Sequence, residues 1–452
     1  MTHGRFLKTL AVLCPLAGAA FAGEMTDKVI KIGVLNDQSG LYADLSGQGS
    51  VTAAKMAVED FGGKVNGVPV EVVFADHQNK PDIGSNVARQ WFDVDKVDVI
   101  VDVPTSSVAL AVSEVTKAKN KVFLASGPGS SDLTGKSCSP NTIQWTYDTW
   151  SLANVTGKSV VKNGGDTWFF LTADYAFGQA LERDVSAVVK ASGGKVLGSV
   201  KHPLNTADFS SFLLQAQSSK AKIIGLANAG GDTINAIKAA SEFGITSGGQ
   251  KLAGLLVFIS DVHALGLQTA QGLQLTEAFY WDRDDKTRAW SKRFAAKMNG
   301  REPTMVQAGV YSSVLHYLKA VQKLGSDADG AAVVKTMKEI PTDDPLFGKG
   351  SVRADGRKLH SMYLYEVKTP AESKGPWDYY KLVREVPASE AWRPLNEGNC
   401  PMVASAGATP AAPAATATPA TPATPAAPEK APAKGAEKAP AKGAEKAPAK
   451  KK

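Results

Sequence analysis

Ser106 and Ser107 stand at the start of a helical pattern, and the stretch FLASGPGSSDLT (123–134) runs from an apolar strand into a cluster of Gly, Pro and Ser. Hydroxyls and free backbone N–H groups in such places suit a carboxylate or another polar group. Gly127 and Gly129 allow close backbone approach, and Ser130 adds a hydroxyl. A plain helix cap or a tight turn would use the same residue types. What favours a ligand is the pair of loops at adjacent strand ends. Tyr175, in TADYAFGQALERDV (172–185), follows a strand and precedes a helix, where a ring can close over a ligand or pack at an edge. Asn228 opens another polar loop, NAGGDT. Asp261 and Glu277 lie near the ends of later strands and could pair with a ligand cation; Glu277 reads as a solvated surface acid.

Other chemistries find no motif. Asp132 stands where a dinucleotide-binding GxGxxG would need its third glycine, and no Gly-Lys-Ser/Thr closes a phosphate loop. GxSxG, HExxH and CxxC are missing, and His77, His202, His263, His316 and His360 are scattered without metal-ligand spacing. No cofactor is called for. Nucleic-acid motifs are missing too. The formal charge of +7 is concentrated at the ends, in Arg5 and Lys8 and in a tail with eight Lys against three Glu, leaving the middle close to neutral.

The elements that must position these loops alternate. Strand patterns at 29–35, 68–76, 97–103 and 121–126 are separated by helical spacing at 46–62, 82–93 and 107–118. The series restarts with strands at 166–172, 195–200, 221–227 and 252–259 and helices at 176–192, 208–217 and 231–243. Residues 141–150, NTIQWTYDTW, read as a crossover between the two series. A third section has strands near 273–280, 361–366 and 378–384 and helices near 285–299, 304–323 and 331–339. Val- and Ile-rich strands between helices predict an α/β fold of parallel sheets covered on both faces. Ligands bind at the carboxyl ends of such strands, where every loop named above lies.

The two ends are different material. Arg5 and Lys8 precede an apolar run, Leu10 to Ala19, and a small-x-small site at Ala20-Phe21-Ala22, the three parts of a secretory signal peptide over 1–22. Residues 402–452 are rich in Ala, Pro and Lys with a repeated EKAPAKGA, a composition expected to be disordered. Export leaves two cysteines, Cys138 and Cys400, expected to form one disulfide in an oxidising compartment.

Five stretches taken in order resemble the leucine/isoleucine/valine-binding protein family, the solute-binding subunits of ATP-binding-cassette (ABC) importers. They are IKIGVLNDQSGLYADLSGQGSVTAAKMAVED (30–60), VDVIVDVPTSSVALAVSEV (97–115), FLASGPGSSDLTG (123–135), DYAFGQAL (174–181) and GLQLTEAFYWD (272–282). The resemblance implies a type I periplasmic-binding fold of two lobes with three crossovers. On it, 28–148 with 283–357 form lobe 1, and 149–282 with 358–400 form lobe 2. It places the grip on a ligand's carboxylate and ammonium at Ser106 or Thr105 and at Gly127, Gly129 and Ser130. It puts Tyr42 in the cleft-lining loop after the first strand and makes Tyr175 the closing tyrosine. Asp261 becomes the second-lobe acid, with Asn228 beside the cleft. Gly129 stands where the family often has threonine, and NAGGD lacks an aromatic common in branched-chain binders. The implied protein is a periplasmic monomer that binds an amino-acid-like, amide or carboxylate solute, performs no chemistry and hands its cargo to ABC permease subunits. The alternative is a periplasmic sensor signalling to a membrane receptor.

Overall fold

The computed structural model describes residues 25–406, so the expected signal peptide and nearly all of the tail lie outside the described residues. A short helix, Pro401–Ala406, ends the described chain.

The first sheet contains β1 (Ile30–Asn36), β2 (Lys64–Val65), β3 (Val68–Asp76), β4 (Val99–Asp102), β5 (Val122–Ala125) and β6 (Thr142–Gln144), in the order β2-β3-β1-β4-β5-β6. From β3 to β6 every pairing is parallel, and β2 turns back antiparallel onto β3. Strands β4 and β5 are buried throughout, as a central parallel strand covered on both faces must be. Helices Gly47–Phe61, Pro81–Gln90 and Ser106–Ala118 form the crossovers.

The second sheet, β7 (Thr167–Ala173), β8 (Lys195–His202), β9 (Ile223–Ala227) and β10 (Lys251–Gly254), is parallel in the order β10-β9-β7-β8. Beside it, β11 (Gln274–Glu277) joins two strands from late in the chain. Between them come β12 (Thr342–Asp344), β13 (Gly348–Val352) and β14 (Lys358–Leu359), a small antiparallel sheet that the periodicity did not announce. The late pair, β15 (Met362–Val367) and β16 (Tyr380–Val386), completes the antiparallel sheet β11-β15-β16. The chain therefore crosses between the lobes after β6, after β11 and after β14. The long helix Met305–Leu324 returns to pack on Gly47–Phe61 and on β4 and β5. Its start is fixed by Thr304, whose hydroxyl accepts from Gln307 N while the Gln307 side chain accepts from Thr304 N, and its end by Gly325 in a left-handed cap.

Two readings of the sequence need correction. The apolar run 252–259 is not one strand: β10 stops at Gly254, and a helix, Ile259–Leu265, starts almost at once. A Cβ on Gly254 would lie 2.6 Å from the Val257 side chain, so the chain folds back there. Leu255, Leu256, Val257 and Phe258 are all buried, and a buried turn gives the same apolar run as a buried strand. The segment 141–150 is more than a crossover, since it holds β6 and opens a helical stretch beginning with Thr149–Leu152. Asp148 caps that stretch by accepting from Ser151 N at 2.7 Å.

Cys138 and Cys400 are bonded, with their Cα atoms 5.6 Å apart across 262 residues of sequence. Among the described residues no helix is long and apolar enough to cross a membrane.

Candidate functional site

The carboxyl ends of β1, β4 and β5 in the first lobe face those of β7, β9 and β10 in the second. The loop after β1 is held by Asp37, buried, whose carboxylate accepts from Gly40 N at 2.6 Å, Tyr42 N at 2.9 Å and Asn79 Nδ2 at 2.6 Å. That carboxylate fixes the Tyr42 backbone and aims the ring across the cleft. A second buried acid, Asp102, ends β4 and ties down the far end of the same loop, accepting from Ser46 Oγ at 2.6 Å and Asn36 Nδ2 at 3.1 Å. Asp102 and Val103 have φ of +80° and +56°. For a β-branched residue such as Val this is a rare backbone state, of the kind that collects at functional sites. Burial pushes the Asp102 carboxyl up to about 6, against the pull of Ser46, Ser50 and Asn36.

The loops carrying the predicted cradle are stitched together. Ser130 N donates to Ser106 Oγ at 3.1 Å, and Ser130 Oγ caps the turn Ser131–Thr134. Thr105 Oγ1 donates to Asn79 Oδ1. Gly127 O accepts from the Tyr147 hydroxyl at 2.5 Å. Gly129 could not be larger, because a Cβ there would lie 2.7 Å from the Phe177 ring and 2.9 Å from the Tyr147 ring.

From the second lobe, Tyr175 precedes the helix Ala176–Ala191, and its hydroxyl meets that of Tyr42 at 2.5 Å. Burial is the main cause that raises both hydroxyls well above the usual tyrosine range, so both stay protonated at neutral pH. Asn228 turns away from the cleft: its Nδ2 meets His202 Nε2 at 3.1 Å and its Oδ1 accepts from Thr233 Oγ1 at 2.6 Å. Asp261, buried, accepts from Phe258 N at 2.9 Å, and burial raises it to about 7. Glu277 is not the surface acid its sequence suggested. It is 1% exposed, Oε2 has no partner, and Oε1 lies 3.4 Å from the Tyr380 hydroxyl. Burial, reinforced by nearby Asp261, holds it well above the usual carboxylate range. It sits at the end of a strand that closes against the third section, and that burial has no local sequence signature.

Where the lobes meet, a cavity of about 10 Å³ remains, room for one water. Its wall is aromatic: Tyr42, Tyr147, Tyr175, Phe177 and Phe258, completed by smaller residues including Gly127 and Ala229. Of the residues anticipated from sequence, Tyr42, Gly127 and Tyr175 reach this wall. Thr105, Ser106, Gly129 and Ser130 are buried in the loops beside it, while Asn228 and Asp261 bond within the second lobe. Sequence reasoning missed Tyr147, Phe177 and Phe258. Tyr147 lay in the aromatic, polar segment read as a crossover between the two series. Phe177 is two residues past Tyr175, and Phe258 was hidden in the misread strand. Two larger hollows, of about 420 Å³ (Ile223, Lys251, Gln274) and about 750 Å³ (Trp150, Arg384, Trp392), lie away from the facing loops, and one of about 440 Å³ lies beside the loop after β1 (Asp37, Leu41, Asn205). Among the described residues no cluster of three or more His, Cys, Asp or Glu is placed to hold a metal.

Comparison with known proteins matches residues 29–376 to a family model described as periplasmic binding protein. A Leu/Ile/Val-binding protein homolog of Brucella melitensis is 26% identical over 370 residues, covering 80% of this chain and 92% of that one. The crystal structure of a periplasmic binding protein from Burkholderia mallei is 56% identical, with a TM-score of 0.81, and covers 83% of this chain and 99% of its own. A branched chain amino acid ABC transporter periplasmic ligand-binding protein from Burkholderia xenovorans is 41% identical, with a TM-score of 0.74, and covers 82% and 99%.

Proposed function

We propose, on the premise that the chain belongs to the periplasmic binding protein family, that it is the solute-binding subunit of an ABC importer. It takes a small amino-acid-like, amide or carboxylate solute between its lobes and delivers it to a membrane permease, without chemistry of its own. The observation that carries this reading is the contact of Tyr42 with Tyr175 over an aromatic cleft, a closure made by side chains from two lobes built on separate sheets. Opening at the three crossovers admits the solute. The rings then cover its apolar body, and exclusion of water strengthens each hydrogen bond made inside.

The polar ends of the solute have partners of both kinds. Ser106 Oγ accepts from Ser130 N, which leaves its own O–H free to donate to a carboxylate or carbonyl at the start of the helix Ser106–Ala118. Across the cleft, Asp261 is the acid assigned to a solute N–H, with Thr105, Gly127, Gly129, Ser130 and Asn228 shaping the loops around it.

Two measurements test the proposal. Protein purified natively and then denatured should release a small solute detectable by mass spectrometry. In a thermal-shift screen of aliphatic and aromatic amino acids, short amides, urea and aromatic acids, the true solute at 100 times its Kd should stabilise by about 2.7 kcal/mol. The shift should vanish in the Ser106→Ala, Tyr175→Ala double variant. A screen without any shift and a preparation that releases nothing would defeat the proposal, and a double variant that still responds would put the site elsewhere.

A further inference from the structure

Gly230 and Gly231 sit in NAGGD, the loop marked out by its lack of an aromatic. Gly231 N donates to Leu41 O at 3.2 Å, a backbone hydrogen bond running from the second lobe to the first. Gly230 has φ +55°, and a Cβ there would stand 2.5 Å from Leu41 O and 3.0 Å from the Tyr42 ring. At Gly231 a Cβ would stand 3.3 Å from the Leu41 Cβ. The backbones can meet here only because residue 230 lacks a Cβ, which would collide with the Leu41 carbonyl. The same loop of the first lobe carries Tyr42 to Tyr175 at 2.5 Å, and Asp37 fixes its backbone from below.

From this geometry we infer that Gly230 and Gly231 set how far the lobes close. They receive the Leu41–Tyr42 backbone in place of a side chain, and only at that depth can the two tyrosine hydroxyls meet. At this loop the ring over the cleft is supplied from the first lobe, by Tyr42, and a side chain at 230 acts as a wedge. The inference rests on the proposed solute-binding reading for its purpose but not for its test, because closure is read without any solute. A wedge also explains why the loop is glycine twice: the first must leave the Leu41 carbonyl and the Tyr42 ring room, and the second must bring its N–H within reach of the same carbonyl. The two residues are positioning residues, acting through Tyr42.

The test places spin labels on two exposed helix positions, Lys55→Cys in the first lobe and Lys190→Cys in the second. Inter-label distances are measured by pulsed electron paramagnetic resonance on the full mature chain with its disulfide intact. The parent should show a short-distance population, and Gly230→Val should lose it by more than about tenfold in favour of longer distances. Gly230→Asn separates the clash from backbone strain, since Asn tolerates positive φ yet carries a Cβ. It should open the lobes as Val does while keeping the parent's circular dichroism and cooperative melt. Gly231→Ala, whose Cβ meets only a side-chain carbon, should shift the population less than either. Retention of the short population in folded Gly230→Asn overturns the inference, and so does a parent with no short population. A failed solute screen beside the expected distances would sink the proposed function and leave the closure device standing.

Discussion

Asp261→Asn should make the protein more stable at neutral pH. Asp261 is buried at 2% exposure, and its one hydrogen bond is from Phe258 N at 2.9 Å. An amide oxygen accepts that bond as well as a carboxylate oxygen does, so the helix cap survives the substitution. What changes is the proton. Unfolded, the carboxyl ionises near 3.8; folded, burial holds it protonated up to about 7. Below pH 3.8 both states are protonated and the group is neutral towards stability. Between pH 3.8 and about 7 the unfolded chain releases a proton that the folded chain keeps, so stability falls as pH rises through that window. Above it the penalty is constant. A gap of about 3 pH units at about 1.4 kcal/mol each sets a limit of about 4 kcal/mol, and structural relaxation reduces it to about 2–4 kcal/mol.

The assay is thermal melting of wild type and Asp261→Asn at pH 4 and pH 7.5. For about 380 folded residues the entropy of unfolding is about 0.8 kcal/mol/K, so 2–4 kcal/mol corresponds to a rise of about 3–5 °C. The rise should be present at pH 7.5 and nearly absent at pH 4. Asp102 titrates with the same sign in both proteins and cancels, while Glu277, held up partly by Asp261, relaxes in the same stabilising direction, so the difference reports Asp261 together with its hold on Glu277. A variant that melts below wild type at pH 7.5, or that runs parallel to it across the window, would refute the reasoning. A variant that gains stability and loses its solute response would fit a carboxyl kept for recognition at the expense of stability.

Replacing both Cys138 and Cys400 by Ser removes a bridge spanning 262 residues, and urea unfolding should show a loss of about 2–5 kcal/mol, matched by reductant on the wild type; an unmoved midpoint would contradict it. Gly309→Ala puts a methyl well inside contact with Thr146 Oγ1 and Ser126 Oγ, two hydroxyls bonded to each other at 2.8 Å. Overpacking there should cost about 1–3 kcal/mol and lower the melting temperature by a few degrees; a melt identical to wild type would show that the helix Met305–Leu324 shifts freely.

The legible parts of the fold were those whose burial repeats along the chain. β3 was anticipated residue for residue, and the helices Gly47–Phe61, Ser106–Ala118 and Ala176–Ala191 came within a residue or two, because an alternating strand and amphipathic helices leave a periodic trace. Periodicity failed where burial came from contacts distant in sequence. Phe258 and Leu256 are covered by the closing lobes, Glu277 by Tyr380, and β12 to β14 pair only with one another. The site divides the same way. Tyr42, Gly127 and Tyr175 stand at strand ends and follow from topology. Asn228 stands at one too, but Thr233 at the end of its own loop and His202 from a distant strand claim its side chain.

The polar loops of the cleft are already paired in the closed protein: Ser106 with Ser130, Tyr147 with Gly127, Tyr42 with Tyr175. A solute entering the cleft must replace some of these bonds with its own, and an exchange of one hydrogen bond for another yields little net free energy. Wrong polar ends, however, would leave buried groups unpaired at a cost of about 1–3 kcal/mol each. Affinity must then come chiefly from apolar surface covered by the rings, at about 25 cal/mol per Å². On the proposed reading, the hydrogen-bonding loops that drew attention in the sequence act by exclusion, and the aromatic wall supplies the attraction.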